Sequence, residues 1–186
     1  MTFDFKNAPP ADLKREYDRI AAEIGDNQFF TKKELNHLPA ILATGEQILA
    51  FTSGQMDGST WLITLTDRRI IFLDKGMLYG LKQATIDLDK VNAVSGKTGL
   101  FLGEIHIEDG ASQRQIKNVL KKTVVAFTNK VRDAMESRKQ SFRSPPPAAA
   151  SSTDDTVSKL ERLAALFEKG LLTKEEFDLQ RAKLLR

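Results

Sequence analysis

Short apolar runs separated by polar turn residues fill the middle of the chain. The clearest pair, residues 61–65 and 69–73, is rich in β-branched and aromatic side chains and flanks the turn residues 66–68. A polar loop at residues 53–58 precedes this pair. Five more runs predict strands, at residues 47–52, 78–86, 91–97, 100–108 and 111–117. Seven short strands separated by turn residues predict a compact antiparallel barrel or sandwich.

The third of these strands is apolar on both of its faces. Ile70, Ile71, Phe72 and Leu73 follow one another without a polar residue, so each face of the strand needs a covering layer. Either the helices before the sheet or a neighbouring subunit can supply that layer. The sixth predicted strand instead alternates, with Phe101, Ile105 and Ile107 opposite a polar face that contains His106.

Helical periodicity flanks the predicted sheet on both sides. Residues 11–24 carry a single apolar stripe and end at Gly25, and a T-x-x-E capping box at residues 31–34 opens a second helix that Pro39 interrupts. After the strands, a long helix runs from an N-cap at Asn118 to about residue 137. Its apolar stripe is formed by Leu120, Val124, Phe127, Val131 and Met135.

The residues after 143 differ from the rest of the chain in composition and pattern. Residues 144–156 are rich in Pro, Ala and Ser, which is typical of a disordered tether, and residues 157–186 have the pattern of a helical hairpin with a break at Gly170. We therefore predict an α+β protein with a helical lead-in (1–46), a sheet domain (47–137), a linker (138–156) and a hairpin (157–186). The apolar stripes of the hairpin are predicted to contact a partner, and they contain Val157, Leu160, Leu163, Phe167, Phe177, Leu184 and Leu185.

Composition narrows the classes of function. The 186 residues are 41% apolar, which supports a packed core, and they include no cysteine, which excludes disulfides and thiolate zinc sites. The net charge of +3 is carried mostly by residues 129–153, and it falls short of the basic face of a dedicated nucleic-acid binder. Neither a leader pattern nor an apolar run long enough to span a bilayer is present. We expect a cytoplasmic protein, with attachment to a membrane periphery as the alternative.

The sequence offers little catalytic chemistry. Its two histidines, His37 and His106, lie on different elements, and a metal bound through Glu104, His106 and Glu108 would need side chains spread over roughly 13 Å of strand to converge. No glycine loop precedes a helix in the manner of a phosphate site. We therefore predict no enzyme activity, no cofactor and no metal site.

Two stretches resemble known families. Residues 48–136 resemble the bacterial pleckstrin-homology-like domains, in particular the YokE-like group, through LTDRRIIF (65–72), IDLDKV (86–91) and GLFLGEIHI (99–107). Residues 158–185 resemble the SHOCT family, the short C-terminal domain of bacterial proteins, through GLLTKEEF (170–177) and AKLL (182–185). The first resemblance implies a bent seven-stranded sheet capped by the C-terminal helix and a tendency to form oligomers. The second implies a non-enzymatic interaction or oligomerisation element.

These resemblances order the candidate partners. The phosphoinositide-binding members of the wider superfamily carry basic residues between strands one and two, where this chain has SGQMDG (53–58) without Lys or Arg. Protein–protein binding or homo-oligomerisation is therefore the leading hypothesis, anionic lipid is the alternative, and nucleic acid ranks last. The basic residues that would contact an anionic surface are Arg68, Arg69, Lys82, Lys97, Lys121 and Lys122. Ion pairing to Asp67, Asp74 and Asp89 on a solvated surface is the competing interpretation of several of them.

Overall fold

A computed structural model describes residues 2–26, 31–75 and 80–143, together with Lys174 and Phe177. The chain divides into a first unit, Met1–Arg143, and a second unit, Ser144–Arg186. The elements of the first unit are α1 (Pro10–Ile24), α2 (Lys32–Leu35), α3 (Leu38–Ile41), β1 (Ile48–Met56), β2 (Ser59–Thr66), β3 (Arg69–Lys75), β4 (Leu81–Asp87), β5 (Val91–Thr98), β6 (Leu102–Asp109), β7 (Gln113–Leu120) and α4 (Lys121–Arg143).

The seven predicted strands are confirmed, and they form one antiparallel sheet in the order β4-β3-β2-β1-β7-β6-β5. The sheet is open, because its two end strands, β4 and β5, are not hydrogen-bonded neighbours. At the middle of the sheet β1 and β7 approach closely, and a Cβ on Gly54 would lie 2.4 Å from Cγ2 of Ile116. Glycine at this position is what lets the two strands cross.

The first helix is also confirmed. Tyr17, Ile20 and Ile24 form its buried stripe, and Gly25 ends it in a left-handed conformation with φ of 79°. The second predicted helix is instead two single turns, α2 and α3, with Pro39 at the start of α3. Thr31 occupies the N-cap of α2, but its side chain makes no capping hydrogen bond, so the expected capping box is not formed.

The chain itself covers both faces of β3. All four residues from Ile70 to Leu73 are fully buried. Helix α2 packs against β3, and α1 packs against β1 through Tyr17, whose ring meets that of Phe51 at 6.0 Å. On the other side, the Arg114 guanidinium from β7 lies 5.0 Å above the Phe72 ring. The chain therefore covers β3 itself, with the N-terminal helices on one face and β7 on the other, and needs no second subunit for it.

The C-terminal helix lies across β1, β5, β6 and β7. It approaches the strands closely where they carry glycine, since a Cβ on Gly96 would lie 2.6 Å from Cγ1 of Val124. It begins at Lys121, directly after β7, so the predicted N-cap at Asn118 is wrong. Asn118 lies inside β7 with φ of 57° and donates a hydrogen bond from Nδ2 to Oε1 of Gln55 at 2.7 Å.

Two boundaries also differ from the prediction. Strand β1 continues to Met56, so most of the loop predicted at 53–58 is strand and only the turn Asp57-Gly58 remains. Helix α4 continues to Arg143, through residues 138–143 that the sequence pattern assigned to the linker. None of the helices in the described part of the chain is both long enough and apolar enough to cross a bilayer.

Candidate functional site

The six basic residues predicted to contact an anionic surface do not form one patch. Arg68 and Arg69 lie at the turn between β2 and β3, and Lys82 lies on the end strand β4. Lys97 lies near the end of β5, while Lys121 and Lys122 open α4. The structure therefore distributes these side chains over separate regions of the sheet domain.

Arg69 is committed to a buried carboxylate. Its Nε and Nη2 donate to the two oxygens of Glu46 at 2.9 and 2.8 Å, and Nη2 also donates to the Ile41 carbonyl at 3.0 Å. The Glu46 side chain is fully buried and also accepts hydrogen bonds from the Thr66 hydroxyl and the Ala43 N–H, both at 2.8 Å. Arg69 thus fastens the segment before β1 to the β2–β3 turn, and this pairing competes with its predicted contact with an anionic surface.

The electrostatics of this pair follow from its hydrogen bonds. Burial by itself would raise the pKa of Glu46, but the hydrogen bonds from Arg69, Ala43 and Thr66 outweigh burial and hold that pKa below its ordinary value. The same contact with Glu46 raises the pKa of Arg69. Both groups are charged at neutral pH, and the pair is a structural anchor for the N-terminal segment.

The other predicted cations are more exposed. Arg68 donates to the Thr44 carbonyl at 3.2 Å and lies 3.9 Å from Asp67, and Lys82 lies 3.6 Å from Asp74. Ion pairing on a solvated surface, the competing interpretation, fits these two residues. Lys97, Lys121 and Lys122 are exposed, and none of them takes part in the ion pairs found among residues 2–26, 31–75 and 80–143.

The connection between β1 and β2 carries no basic residue and is too short to form a loop. It is a two-residue turn whose members, Asp57 and Gly58, both have positive φ (52° and 78°), as in the tight turn favoured by Asp-Gly hairpins. A cleft of about 530 Å³ next to it has cationic side chains on its β7 wall, Arg114 and Lys117, but Asp57 lines the same cleft. The turn therefore offers neither a loop nor a uniform positive charge.

A cluster of large apolar side chains lies at the end of the β5–β6 hairpin. Leu100 and Phe101 are 79% and 77% exposed, and Leu102 lies opposite Leu120 in the β6–β7 register with both side chains exposed. We call these four residues the apolar tip. The Gly99 N–H donates to the Leu102 carbonyl at 2.7 Å and the Lys121 N–H donates to the Phe101 carbonyl at 3.1 Å, so the tip is held at both of its flanks.

The sequence pattern does not indicate the apolar tip, because residues 100 and 101 have the composition of a strand. The strand begins two residues later, at Leu102, and Phe101 lies outside the core. The available signal was the pair of glycines around the apolar triplet. A Cβ on Gly99 would lie 2.9 Å from the Leu102 carbonyl, and one on Gly103 would lie 2.4 Å from the Lys97 carbonyl, so both glycines belong to a tight turn.

Among the described residues, the remaining predicted positions form no catalytic or metal-binding group. Six of the seven hairpin residues, Val157, Leu160, Leu163, Phe167, Leu184 and Leu185, lie outside the described residues, and Phe177 is helical and partly buried. His106 Nε2 lies 3.4 Å from Glu104 Oε2, which also accepts a hydrogen bond from Gln115 at 2.8 Å. Within the described ranges, no three acidic or histidine side chains converge in a way that could hold a metal ion.

Two family models match the chain. Residues 42–133 match the model described as the bacterial PH domain, and residues 158–185 match the short C-terminal domain, SHOCT. Both resemblances found in the sequence are thereby confirmed. Proteins built from these domains are typically non-catalytic, and the pair indicates a binding or adaptor module.

Two solved structures are similar to part of this chain. A pleckstrin homology domain from Shewanella amazonensis SB2B is 18% identical, with a TM-score of 0.42, over 56% of this chain and 97% of that chain. A DUF1696 family protein with a pleckstrin-homology domain, from Shewanella loihica PV-4, is 17% identical, with a TM-score of 0.40, over 55% of this chain and 94% of that chain. A comparison with curated proteins finds no match.

Proposed function

Because this chain carries a bacterial PH domain at residues 42–133 and a short C-terminal domain at residues 158–185, we propose that it is a non-enzymatic adaptor. The tethered hairpin mediates protein–protein binding, in the first place self-association, and the sheet domain is the body that it brings together. We propose a cytoplasmic protein with no cofactor.

The single observation that carries this proposal is that the chain divides into a long first unit and a short second unit. The two units differ in how well each can bury a core of its own. The first unit covers its own most apolar strand, since α2 and the other N-terminal helices pack where a partner could have packed. The second unit is 43 residues long, which is short for a chain that must bury a core without disulfides or a metal. It has the greater need of a partner surface.

The pattern of the second unit supports the same assignment. Its apolar residues recur at helical spacing on two segments, and Phe177 on the second segment is partly buried in a helix. Its seven basic and seven acidic residues give residues 154–186 no net charge, so apolar contact rather than charge attraction is the natural source of affinity. We propose that Val157, Leu160, Leu163 and Phe167 on the first segment, and Phe177, Leu184 and Leu185 on the second, form this contact.

The segment at 144–156 makes weak contacts effective. The Pro-, Ala- and Ser-rich composition of this segment predicts a flexible tether, which would hold the attached sheet domains at millimolar effective concentration once one hairpin has bound. The affinity of an assembly held by several hairpins then increases although no new contact surface is added. Removal of the second unit is expected to abolish assembly and leave the fold of the sheet domain intact.

Sedimentation velocity over a wide range of concentrations tests the proposal, with the full chain and a 1–143 truncation side by side. The full chain is expected to form a larger, concentration-dependent species, and the truncation to remain a monomer. A circular dichroism melt of the truncation checks that its sheet domain is folded. If both forms sediment as monomers throughout, self-association through the hairpin is wrong, and a comparative pull-down from host lysate then decides whether the hairpin binds another protein.

Recruitment to an anionic membrane is the second candidate. The six basic residues predicted to contact an anionic surface support it only weakly, because Arg69 is paired with Glu46 and Lys82 lies close to Asp74. Three exposed lysines still favour it, because Lys97, Lys121 and Lys122 lack ion-pair partners among the described residues. Two of them flank the apolar tip.

A further inference from the structure

The apolar tip is unusual for its exposure. Six large apolar side chains are exposed in the described part of the chain, and four of them belong to the apolar tip. Leu100 and Phe101 have more than three quarters of their surface open to solvent, whereas the exposed apolar residue on β4, Leu81, has 42%. Contiguous exposed apolar side chains commonly mark a contact surface, while isolated ones do not.

The tip is also fixed in shape. Hydrogen bonds from Gly99 to Leu102 and from Lys121 to Phe101 tie it to β6 and to the first residue of α4. The paired side chains Leu102 and Leu120 stand next to each other at its base. A projection that is already ordered loses little conformational entropy when it binds.

The exposed charged residues beside the tip are lysines. Lys97, Lys121 and Lys122 are exposed and take part in none of the ion pairs among the described residues, while Glu104, opposite Lys97 in the β5–β6 register, is only partly exposed. Lys97 precedes the tip on β5, and Lys121 follows Leu120 directly. The acidic residue nearest in sequence, Glu104, is hydrogen-bonded to Gln115 and lies beside His106.

The shape favours a bilayer over a folded protein partner. Leu100 and Phe101 lie in the turn between β5 and β6 with more than three quarters of their surface exposed, so the tip projects from the sheet domain. Apolar side chains flanked by exposed lysines match the two signals that hold peripheral proteins on anionic membranes, namely shallow insertion and attraction to lipid phosphates.

We propose that the apolar tip inserts into the headgroup region of an anionic lipid bilayer, with Lys97 and Lys121 contacting lipid phosphates. This surface is separate from the hairpin contact, so the two ideas can fail independently. It also differs from a phosphoinositide site at the β1–β2 turn, because it requires anionic surface charge and apolar insertion rather than recognition of one headgroup.

Vesicle co-sedimentation of the full-length protein is the first test. The protein is expected to bind vesicles of phosphatidylcholine mixed with phosphatidylglycerol at low salt, and to bind vesicles of pure phosphatidylcholine weakly. The double substitution Leu100→Ser/Phe101→Ser should weaken binding on the order of a hundredfold, because two large side chains no longer leave water. Lys97→Gln/Lys121→Gln should weaken it on the order of tenfold and reduce its sensitivity to salt.

Matched substitutions elsewhere are the controls. Leu81→Ser removes an exposed apolar side chain from β4, and Lys90→Gln removes an exposed lysine that pairs with Asp87. Both should leave vesicle binding unchanged. All of these positions are exposed, so the variants are expected to keep the fold, which circular dichroism verifies.

A fluorescence reporter tests insertion itself. The one tryptophan of the chain, Trp61, is 7% exposed and gives a constant background. Tryptophan introduced by Phe101→Trp should shift its emission to shorter wavelength on anionic vesicles and be quenched by brominated lipids, whereas Leu81→Trp should show neither effect. The proposal is overturned if the protein does not bind anionic vesicles, or if Leu100→Ser/Phe101→Ser binds them as tightly as the unaltered chain. It is also overturned if that double variant changes only the sedimentation of the vesicle-free protein, which would make the tip an interface between copies.

Discussion

Strand β3 and the apolar tip are both runs of large apolar side chains, and they end in opposite environments. Ile70 to Leu73 are fully buried, while Leu100 and Phe101 are more than three quarters exposed. The difference does not come from residue type, since each run contains leucine and phenylalanine. It comes from position in the fold, because Ile70 to Leu73 are covered on both faces of the sheet, whereas Leu100 and Phe101 lie in the turn between β5 and β6, outside the strands that α4 packs against. A search for function should therefore begin where an apolar run lacks a covering element.

Two phenylalanines make this comparison quantitative. Phe72→Ala should lower the free energy of unfolding by about 3–5 kcal/mol, because it leaves a cavity in the core and removes the ring beneath Arg114. Phe101→Ala should change it by less than about 0.5 kcal/mol, since its side chain is already in water. Urea unfolding followed by circular dichroism measures both values. Equal losses would mean that the tip is packed against something in solution.

Two neighbouring arginines sharpen the same comparison for charged side chains. Arg69→Met should cost about 3–5 kcal/mol of unfolding free energy, because Glu46 would remain buried without its cation. Arg68→Met should cost less than about 1 kcal/mol, since its pair with Asp67 is exposed. The experiment is again urea unfolding, with Glu46→Gln/Arg69→Met completing a double-mutant cycle. A coupling energy near zero in that cycle would contradict the anchoring role of the pair.

The acid dependence of stability is the smallest of these effects. The pKa of Glu46 is below its ordinary value of 4.5 in the folded protein, so its contribution is fully present above about pH 4.5 and is lost as the pH falls through the lowered value. The stability difference between the unaltered chain and Glu46→Gln should therefore be largest near neutral pH and shrink in acid. Chemical denaturation at a series of pH values measures it. A difference that grows as the pH falls would mean that the Glu46 pKa is raised and not lowered.

Much of the sheet domain is predictable because its signals are local. The stripe that contains Tyr17, Ile20 and Ile24 predicts α1, and the two-sided run from Ile70 to Leu73 predicts a strand that needs two covers. Strand ends depend on distant contacts instead. Residues 53–56 have the composition of a loop, yet Gly54 belongs to β1 because β7 passes too close for any side chain there.

The candidate sites depend still more on distant contacts. Nothing around Arg69 in the sequence indicates that its carboxylate partner lies 23 residues earlier and is buried. The apolar triplet at 100–102 has the composition of a strand, and only the three-dimensional arrangement leaves it without cover. The hairpin contacts in the second unit remain predictions from helical periodicity.

The central claim is that the hairpin carries the assembly function. The most direct measurement is sedimentation equilibrium of the full-length protein, with Leu160→Asp/Leu163→Asp as the test variant and Ser158→Asp, a change at a polar position of the same segment, as the control. The account predicts reversible self-association for the unaltered chain and for the control, and a monomer for the double variant. Self-association of equal strength in all three proteins would contradict it.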